Sequence, residues 1–218
     1  MCYIRGVPAD YDRWAAAGAT GWDCSQVLPW FLHGEANSRG ASAFHGDAGP
    51  LSVSDLRHHN PLSDAFVDAA VEAGHPRNND FNGADQRGAG LYQVTQRDGA
   101  RCSSATAYLR PARARRNLTV LTGARARMLS FRGDAATGVY YHHRGAHQHA
   151  HAAREVILSA GAVHSPHLLL LSGIGPQRQL RAHGISTRLD LPGVGGNLQD
   201  HLDICTLVHT HPGVSYDR

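Results

Sequence analysis

The sequence predicts a mixed α/β fold, and three patterns support that fold class. Residues 156–158 form a continuous apolar run of the kind that predicts a strand covered on both faces. A helix is predicted after it, because Ser165 is a favourable N-cap and Pro166 a favourable first helical residue. Another helix is predicted from residue 61 to residue 73, where apolar side chains share one face at positions 62, 66, 69, 70 and 73.

The remaining predicted elements are shorter and follow local helix and turn signals. Helices are predicted at 9–18 and 22–32, and within 175–184, where Gly184 ends the helix. Strands are predicted at 51–56, 91–97 and 117–123. Three strands joined by turns at 132–134 and 144–145 are predicted between residues 128 and 161.

Composition narrows the class of protein. Hydrophobic residues make up 42% and charged residues 18% of the 218 residues, which predicts a buried core and not disorder. Acidic and basic residues are interspersed at a net charge of +3, so no nucleic-acid surface is indicated. The densest basic cluster is interpreted as a solvated connection before a strand, and it consists of Arg110, Arg113, Arg115 and Arg116.

Cysteine usage and hydropathy bear on the cellular compartment. The four cysteines form no C-x-x-C pair, so no zinc site, redox motif or disulfide framework is predicted. Residues 1–10 lack the regions of a signal peptide, and no apolar stretch approaches the roughly 18 residues of a membrane span. The sequence therefore predicts a soluble cytoplasmic protein, with peripheral attachment to the inner membrane as an alternative.

Small residues separate the apolar run from the helix that follows it. Residues 159–162 read Ser-Ala-Gly-Ala and leave the backbone bare where the predicted helix begins. A helix N-terminus beside small residues favours the close approach of a polar or anionic ligand. The alternative is that these residues only allow the helix to pack closely on the sheet.

The longer stretch SAGAVHSPHLLLLSGIGP, residues 159–176, resembles the second signature of the glucose–methanol–choline (GMC) family of FAD-dependent alcohol oxidoreductases. The small residues, Ser-Pro, the leucine block and Ser-Gly-Ile-Gly occur in the family's order. Other segments resemble further parts of the family, in the pattern of choline and alcohol dehydrogenases: 1–6, 44–56, 81–96 and 191–201. The resemblance implies a partial GMC fold, with an incomplete FAD-binding Rossmann-like domain and part of an antiparallel-sheet substrate domain.

The resemblance divides the chain into four segments. Residues 1–45 and 113–200 are expected in the FAD domain, residues 46–112 in the substrate domain, and residues 201–218 at the start of a second substrate-domain segment. The family's phosphate-binding G-x-G-x-x-G is not present, since Leu198 stands where the lookalike beginning at Gly193 needs its third glycine. The family's catalytic histidine is expected beyond these residues. The chain is therefore expected to be an internal fragment that holds no catalytic residue.

The resemblance also implies cofactor contacts. Ala126 occupies a position whose backbone meets the adenine of FAD, and the family usually has valine there. Ser159, Ala160 and Gly161 fall where the family's sheet meets the adenosine half of FAD. Two other residues, Asn197 and His201, belong to a block that packs near the cofactor.

Asp203 is the candidate substrate-binding residue. By resemblance, choline-acting relatives place an acidic residue near this position, facing the quaternary ammonium of the substrate. A carboxylate suits such a cation, particularly beside aromatic faces. Relatives that act on neutral alcohols also tend to carry an acid here, and a surface or structural role is the alternative.

The chain is unusually rich in histidine over ten residues, at positions 142, 143, 147, 149 and 151. The last three alternate along one face of a strand, and imidazoles in such a row can bind zinc, copper or nickel. No cysteine or acidic ligand accompanies them, and the segment is a hairpin, so no metal site is predicted. His164 and His167 flank Ser165 and Pro166 and are interpreted as packing or capping residues.

The implied activity of the parent enzyme is oxidation of a primary alcohol, choline or an aliphatic alcohol, to an aldehyde, by hydride transfer to FAD. The electron acceptor is left undetermined. The isolated chain is expected to be inactive, with bare strand edges and exposed apolar surface. Two alternatives are a noncatalytic remnant or binding module and a histidine-rich metal-binding protein.

Overall fold

The computed structural model describes residues 1–207 and 209, and this part of the chain forms two compact units. The first unit contains Met1–Leu118 and the second contains Thr119–Thr206. Both units combine helices with strands, which confirms the mixed α/β fold class. The four-segment division stays a prediction, and residues 208 and 210–218 of its last segment lie outside the described residues.

Three helices of the first unit begin at the signals that the sequence carries. Helices α1 (Pro8–Ala16) and α3 (Pro61–Glu72) each have proline in the first helical turn, where no N–H is needed. Helix α2 (Cys24–Gly34) begins after Asp23, whose carboxylate accepts a hydrogen bond from the Gln26 N–H at 3.2 Å. The predicted helices are confirmed to within two residues at each end.

Short strands complete the first unit. Strands β1 (Glu35–Asn37) and β2 (Leu51–Val53) pair in parallel, and β3 (Gln96–Arg97) and β4 (Ala100–Arg101) form a hairpin. Asp98 and Gly99 turn this hairpin with φ of 52° and 80°, as a two-residue hairpin turn requires. The strand predicted over 91–97 is therefore mostly irregular, although Val94 bridges to Cys2 and Ser54.

The first unit also contains a π-helical turn, Ala105–Leu109, that leads into the short helix α4 (Arg110–Ala112). Its apolar core brings together residues from most of these elements. The buried members are Tyr11, Val27, Val53, Val67, Phe81, Val94, Cys102 and Ala107.

The second unit is built on a three-stranded antiparallel sheet. Its strands are β5 (Arg125–Arg132), β6 (Ala135–His143) and β7 (Ala146–His151), in the order β5-β6-β7. The turns fall at Gly133 and at Arg144–Gly145, where φ is positive. Both predicted turns are confirmed, and β5 is an edge strand within the described residues.

Helix α5 (Gly161–Leu171) starts earlier than the sequence predicts. The expectation that Ser165 is the N-cap and Pro166 the first helical residue is wrong. The chain enters the helix at Gly161, whose φ of +86° favours glycine, and the Ser165 Oγ instead accepts a hydrogen bond from the Ala160 N–H at 3.0 Å. Pro166 therefore lies inside the helix and removes only one backbone hydrogen bond.

Two predicted strands are not formed, and both predictions were wrong for the same reason. Residues 117–123 and 156–158 are irregular, and Ile157 is 76% exposed instead of covered on both faces. A strand of this type is stable only when neighbouring strands satisfy its N–H and C=O groups. Among the described residues, neither segment pairs with such neighbours.

The second unit ends in short elements around a small apolar core. Strands β8 (Ile174–Gly175) and β9 (Leu189–Asp190) pair in parallel on either side of helix α6 (Gln177–Ala182), which ends before Gly184 as predicted. The buried apolar residues are Leu129, Leu168 and Leu180. None of the helices in residues 1–207 and 209 has the length and apolar character needed to cross a bilayer.

Candidate cofactor-binding cleft

A cleft in the second unit brings together two of the residues predicted to contact a cofactor. Ala126, near the start of β5, and Ala160, directly before α5, line the same cavity of about 560 Å³. They are 34 positions apart in the sequence. The other lining residues are Ala124, Arg125, Arg127, His164, His167, Leu168 and Leu171.

Strand β5 and helix α5, which line the cleft, are joined at the end of the helix. The Leu129 N–H donates to the Ser172 Oγ at 2.9 Å, and the Ser172 hydroxyl donates to the Leu168 carbonyl at 2.6 Å. The first bond ties the C-terminal end of α5 to the middle of β5, and the second fixes the Ser172 side chain on the last turn of the helix. The start of β5 and residues along the length of α5, from His164 to Leu171, line the cavity.

Two other predicted cofactor residues flank the cavity but do not line it. Ser159 is exposed, and Gly161 sits at the first helical position with a positive φ. A Cβ at Gly161 would meet no atom within 4 Å, so its glycine is favoured by backbone conformation and not by lack of space. The structure therefore brings Ala126 and Ala160 together, and it places Ser159 and Gly161 beside that pair.

The side chains around the cleft favour a flat ligand that carries negative charge. The three alanines at 124, 126 and 160 keep the cavity wide, while Arg125 and Arg127 bring positive charge to it. Arginine hydrogen-bonds phosphate and carboxylate groups strongly. The outer edge of β5 also carries backbone N–H and C=O groups that can bond a ligand. One of them, the Leu129 N–H, already donates to the Ser172 Oγ.

The second block of predicted residues lies apart from this cleft. Asn197 lines another cavity of the second unit, of about 540 Å³, on the side of α5 that carries Val163 and Pro166. His201 is exposed, and its backbone N–H donates to the Asp200 Oδ1 at 2.9 Å. The candidate substrate residue, Asp203, is exposed and lies outside any helix or strand.

The histidine-rich hairpin is formed as predicted by β6 and β7. Within residues 1–207 and 209, no group of three or more His, Cys, Asp or Glu side chains is arranged to hold a metal ion. His164 and His167 line the cofactor cleft, which places them beside the candidate ligand site and adds to their predicted role in packing.

The first unit contains a buried polar network that the sequence pattern did not predict. Glu35 is fully buried, and its two carboxylate oxygens bind different partners. The Arg5 guanidinium donates to Oε2, while Oε1 accepts from the Asn37 side-chain amide at 2.7 Å and lies 3.0 Å from the His45 Nδ1. The other ring nitrogen of His45 lies 2.9 Å from the Asp80 carboxylate.

The network extends to neighbouring loops through amide groups. The side chains of Asn37 and Gln93 exchange two hydrogen bonds, of 2.8 and 3.1 Å. The Arg5 backbone N–H donates to the Asn82 side chain at 2.7 Å, and its guanidinium donates to the Phe44 carbonyl at 2.6 Å. Tyr3 is adjacent, and burial followed by the Glu35 charge raises the pKa of its phenol.

One local signal in the sequence could have revealed this network. Glu35 and Asn37 alternate in a three-residue strand directly after an apolar helix, so both side chains point to one face. Polar side chains on the buried face of such a strand require partners. Two partners of Asn37, His45 and Gln93, lie 8 and 56 positions away in the sequence, and the local pattern does not indicate them.

Comparison with known proteins shows that the chain is similar to a family of oxidoreductases. Residues 1–203 match the family described as GMC oxidoreductase. The chain is 45% identical over 204 residues to mitochondrial choline dehydrogenase of Homo sapiens, covering 94% of this chain and 34% of that protein. It is 48% identical over 207 residues to the alcohol dehydrogenase [acceptor] of Pseudomonas putida, covering 94% of this chain and 38% of that protein.

A solved structure agrees with these sequence matches. An FAD-dependent oxidoreductase from Chaetomium thermophilum superposes with a TM-score of 0.81 at 29% identity, covering 88% of this chain and 36% of that chain. The chain thus spans little more than a third of the length of the proteins that it matches.

Proposed function

The chain belongs to the GMC oxidoreductase family, and we propose that it supplies the adenosine-binding part of an FAD-dependent alcohol oxidoreductase. The whole enzyme oxidises a primary alcohol, choline or an aliphatic alcohol, to an aldehyde. The observation that carries the proposal is the shared cleft of Ala126 and Ala160, two residues that the family resemblance assigns to the same end of FAD.

The cleft fits the adenosine half of FAD in shape and in chemistry. Alanine side chains leave room for a flat ring beside the edge strand β5, whose backbone groups can bond its nitrogen atoms. Arg125 and Arg127 attract the phosphates. Ser159 and Gly161 keep the approach to α5 free of bulky side chains, since serine is small and glycine has no side chain.

FAD, when bound, accepts the hydride of the substrate alcohol. In this proposal the chain's own residues bind and orient the adenosine end and contribute no catalytic group. Expressed by themselves, these 218 residues neither hold FAD tightly nor turn over, because the sequence contains no G-x-G-x-x-G for the phosphates.

Asp203 is proposed to face the substrate in the whole enzyme. Its carboxylate is exposed, and the flanking Leu202 and Ile204 are also almost fully exposed. Exposed apolar side chains beside an acid suit a surface that is covered by further protein. The two names, choline dehydrogenase and alcohol dehydrogenase, favour a small alcohol, and the Asp203 carboxylate would favour a cationic one.

We also propose a reducing compartment, the cytoplasm, for this chain, with peripheral attachment to the inner membrane as the alternative. Support comes from the four cysteines, which are all free thiols. Disulfides are rare in such compartments.

The proposal is tested with the two halves of the cofactor. ADP carries the adenosine half and FMN carries the flavin half, and calorimetry on the purified 218-residue chain should detect binding of ADP and not of FMN. Ala126→Leu fills the cleft, at an expected cost of about 1–3 kcal/mol, which corresponds to ADP binding weakened by about 5- to 140-fold. Ala146→Leu, at the exposed start of β7, is the matched control and should bind ADP normally.

Two results would overturn parts of this proposal. Equal ADP affinity in the wild-type chain and Ala126→Leu would remove the cleft from the binding site. A purified chain that is yellow and reduces a dye with choline would contradict the expected lack of turnover.

A further inference from the structure

The hairpin of β6 and β7 gathers histidines on one face of the sheet. Its register places His142 opposite His147, Tyr140 opposite His149 and Gly138 opposite His151. Directly opposed residues project to the same face, and every second residue of a strand does so too. Four imidazoles therefore share this face, those of His142, His147, His149 and His151.

Two of these imidazoles are already at the spacing of metal ligands. The His149 Nδ1 lies 3.1 Å from the His151 Nε2, and the ring centroids are 4.1 Å apart. Two metal–nitrogen bonds of about 2.05 Å place their nitrogens about 2.9 Å apart at a right angle and about 3.4 Å apart at the tetrahedral angle. The observed separation falls between these values.

The His149 ring is held in this orientation from two sides. Its Nε2 lies 2.8 Å from the Ser130 Oγ, and its face stacks on Tyr140 with centroids 4.3 Å apart. Gly138 makes the arrangement possible, because a Cβ there would lie 3.0 Å from the His149 Nε2 and 2.1 Å from the Ala150 carbonyl oxygen. A ligand fixed through its second nitrogen is the usual arrangement at metal sites.

We propose that His149 and His151 form a two-nitrogen chelate for a late divalent transition metal, Cu²⁺, Ni²⁺ or Zn²⁺. In the metal-bound form His149 donates its Nε2–H to the Ser130 Oγ, 2.8 Å away, which leaves the lone pair of Nδ1 for the metal. His151 changes tautomer: Nε2 gives up its proton and binds the metal, while Nδ1 takes up a proton, so the net charge of the ring is unchanged. Water molecules complete the coordination.

The ligand chemistry selects the class of metal. Neutral imidazoles suit copper, nickel and zinc, whereas magnesium and calcium prefer carboxylate and carbonyl oxygens. Affinity for nitrogen sites rises from nickel to copper and falls again at zinc. His151 is exposed and His149 is partly exposed, so an ion reaches both nitrogens from solvent. The site does not involve the cofactor cleft, and metal binding is therefore tested independently of FAD binding.

The test uses the 218-residue chain purified without a polyhistidine tag or a nickel column and stripped with a chelator. Cu²⁺ alone is added to one equivalent, and electron paramagnetic resonance should show coupling to two imidazole nitrogens. His149→Ala and His151→Ala should each lose this two-nitrogen signal. His143→Ala is the matched control, because His143 lies on the same strand as His142 but projects to the opposite face.

The role of Ser130 is tested separately by titration with Ni²⁺. Ser130→Ala should weaken binding about tenfold, and Ser130→Thr, which keeps the hydroxyl, should restore it. Circular dichroism checks that each variant keeps the strand content of the wild-type chain. An unchanged two-nitrogen signal in both histidine variants, or its loss in the His143 control, would overturn the proposal.

Discussion

The two units of this chain are stabilised in different ways. The first unit buries an ionic network in which Glu35 contacts Arg5, Asn37 and His45. The second unit has a small apolar core and leaves Val120, Leu121 and the apolar run at 156–158 outside any strand. The ionic network stabilises the first unit from within, whereas unpaired apolar segments are suited to pairing with further strands.

This difference between the units agrees with the fraction of its relatives' length that the chain covers. The chain spans little more than a third of its relatives, and the second unit is where its predicted strands remain unpaired. The family resemblance assigns those same segments to the FAD domain. We therefore expect pairing with the rest of the enzyme to stabilise the second unit more than it stabilises the first unit.

The largest expected effect is in the first unit. Glu35→Gln leaves the buried Arg5 guanidinium without its counter-charge, which should destabilise this unit by about 3–5 kcal/mol. All three tryptophans, Trp14, Trp22 and Trp30, lie in the first unit, so urea unfolding followed by tryptophan fluorescence reports on it alone. Glu72→Gln, on an exposed part of α3, is the control and should unfold at the wild-type urea concentration. A stable Glu35→Gln variant would contradict the importance of the network.

A somewhat smaller effect is expected in the second unit. Leu180 is 1% exposed, and Leu180→Ala should cost about 3 kcal/mol through lost burial and a residual cavity. Amide hydrogen exchange in β5–β7 should speed up, while tryptophan fluorescence of the first unit should not change. Leu198→Ala is the matched control, since Leu198 is exposed. Equal unfolding of both units in Leu180→Ala would show that they are not independently stabilised.

The smallest effect is expected at the surface of the first unit. Hydrogen bonds from the Arg39 guanidinium hold the pKa of the Asp55 carboxyl below its ordinary value, with distances of 2.6 to 3.1 Å. A lowered folded-state pKa stabilises the fold above the unfolded-state pKa, and that stabilisation is lost as the pH falls through the folded-state pKa. Because both side chains are partly exposed, Asp55→Asn should cost under about 1 kcal/mol near neutral pH.

The pH dependence of this last variant is measured by urea unfolding. The difference in unfolding free energy between wild type and Asp55→Asn should be present at about pH 6 and should shrink towards about pH 3. A difference that grows on acidification would mean that the Asp55 pKa is raised and not lowered.

Local signals predicted much of the secondary structure. Asn60 followed by Pro61 predicted the start of α3, and Asp98–Gly99 predicted a hairpin turn, because capping and turn formation depend on adjacent residues. The strand predicted at 156–158 was wrong, because local signals do not show whether an apolar run finds strands to pair with. An apolar run shows that a segment can be buried, but pairing depends on residues elsewhere.

The candidate sites also combine features that the sequence predicted with features that only the structure shows. The family resemblance led to Ala126 and Ala160 through motif order alone, and the shared cleft adds to that argument. The sequence showed that His147, His149 and His151 alternate, but it predicted no metal site. The 3.1 Å spacing of two ring nitrogens comes from side-chain rotation fixed by Ser130 and Tyr140, which no periodicity encodes.

The sequence by itself determined the mixed fold class, helices α1, α2, α3 and α6, the turns of the hairpins and membership of the family, since each follows from residues close together or from motifs in order. Only the tertiary structure decided which polar groups are buried together. Arg5, Glu35 and Asn82 are separated by up to 77 positions, and they meet because a buried charge or amide must find a partner wherever the fold brings one.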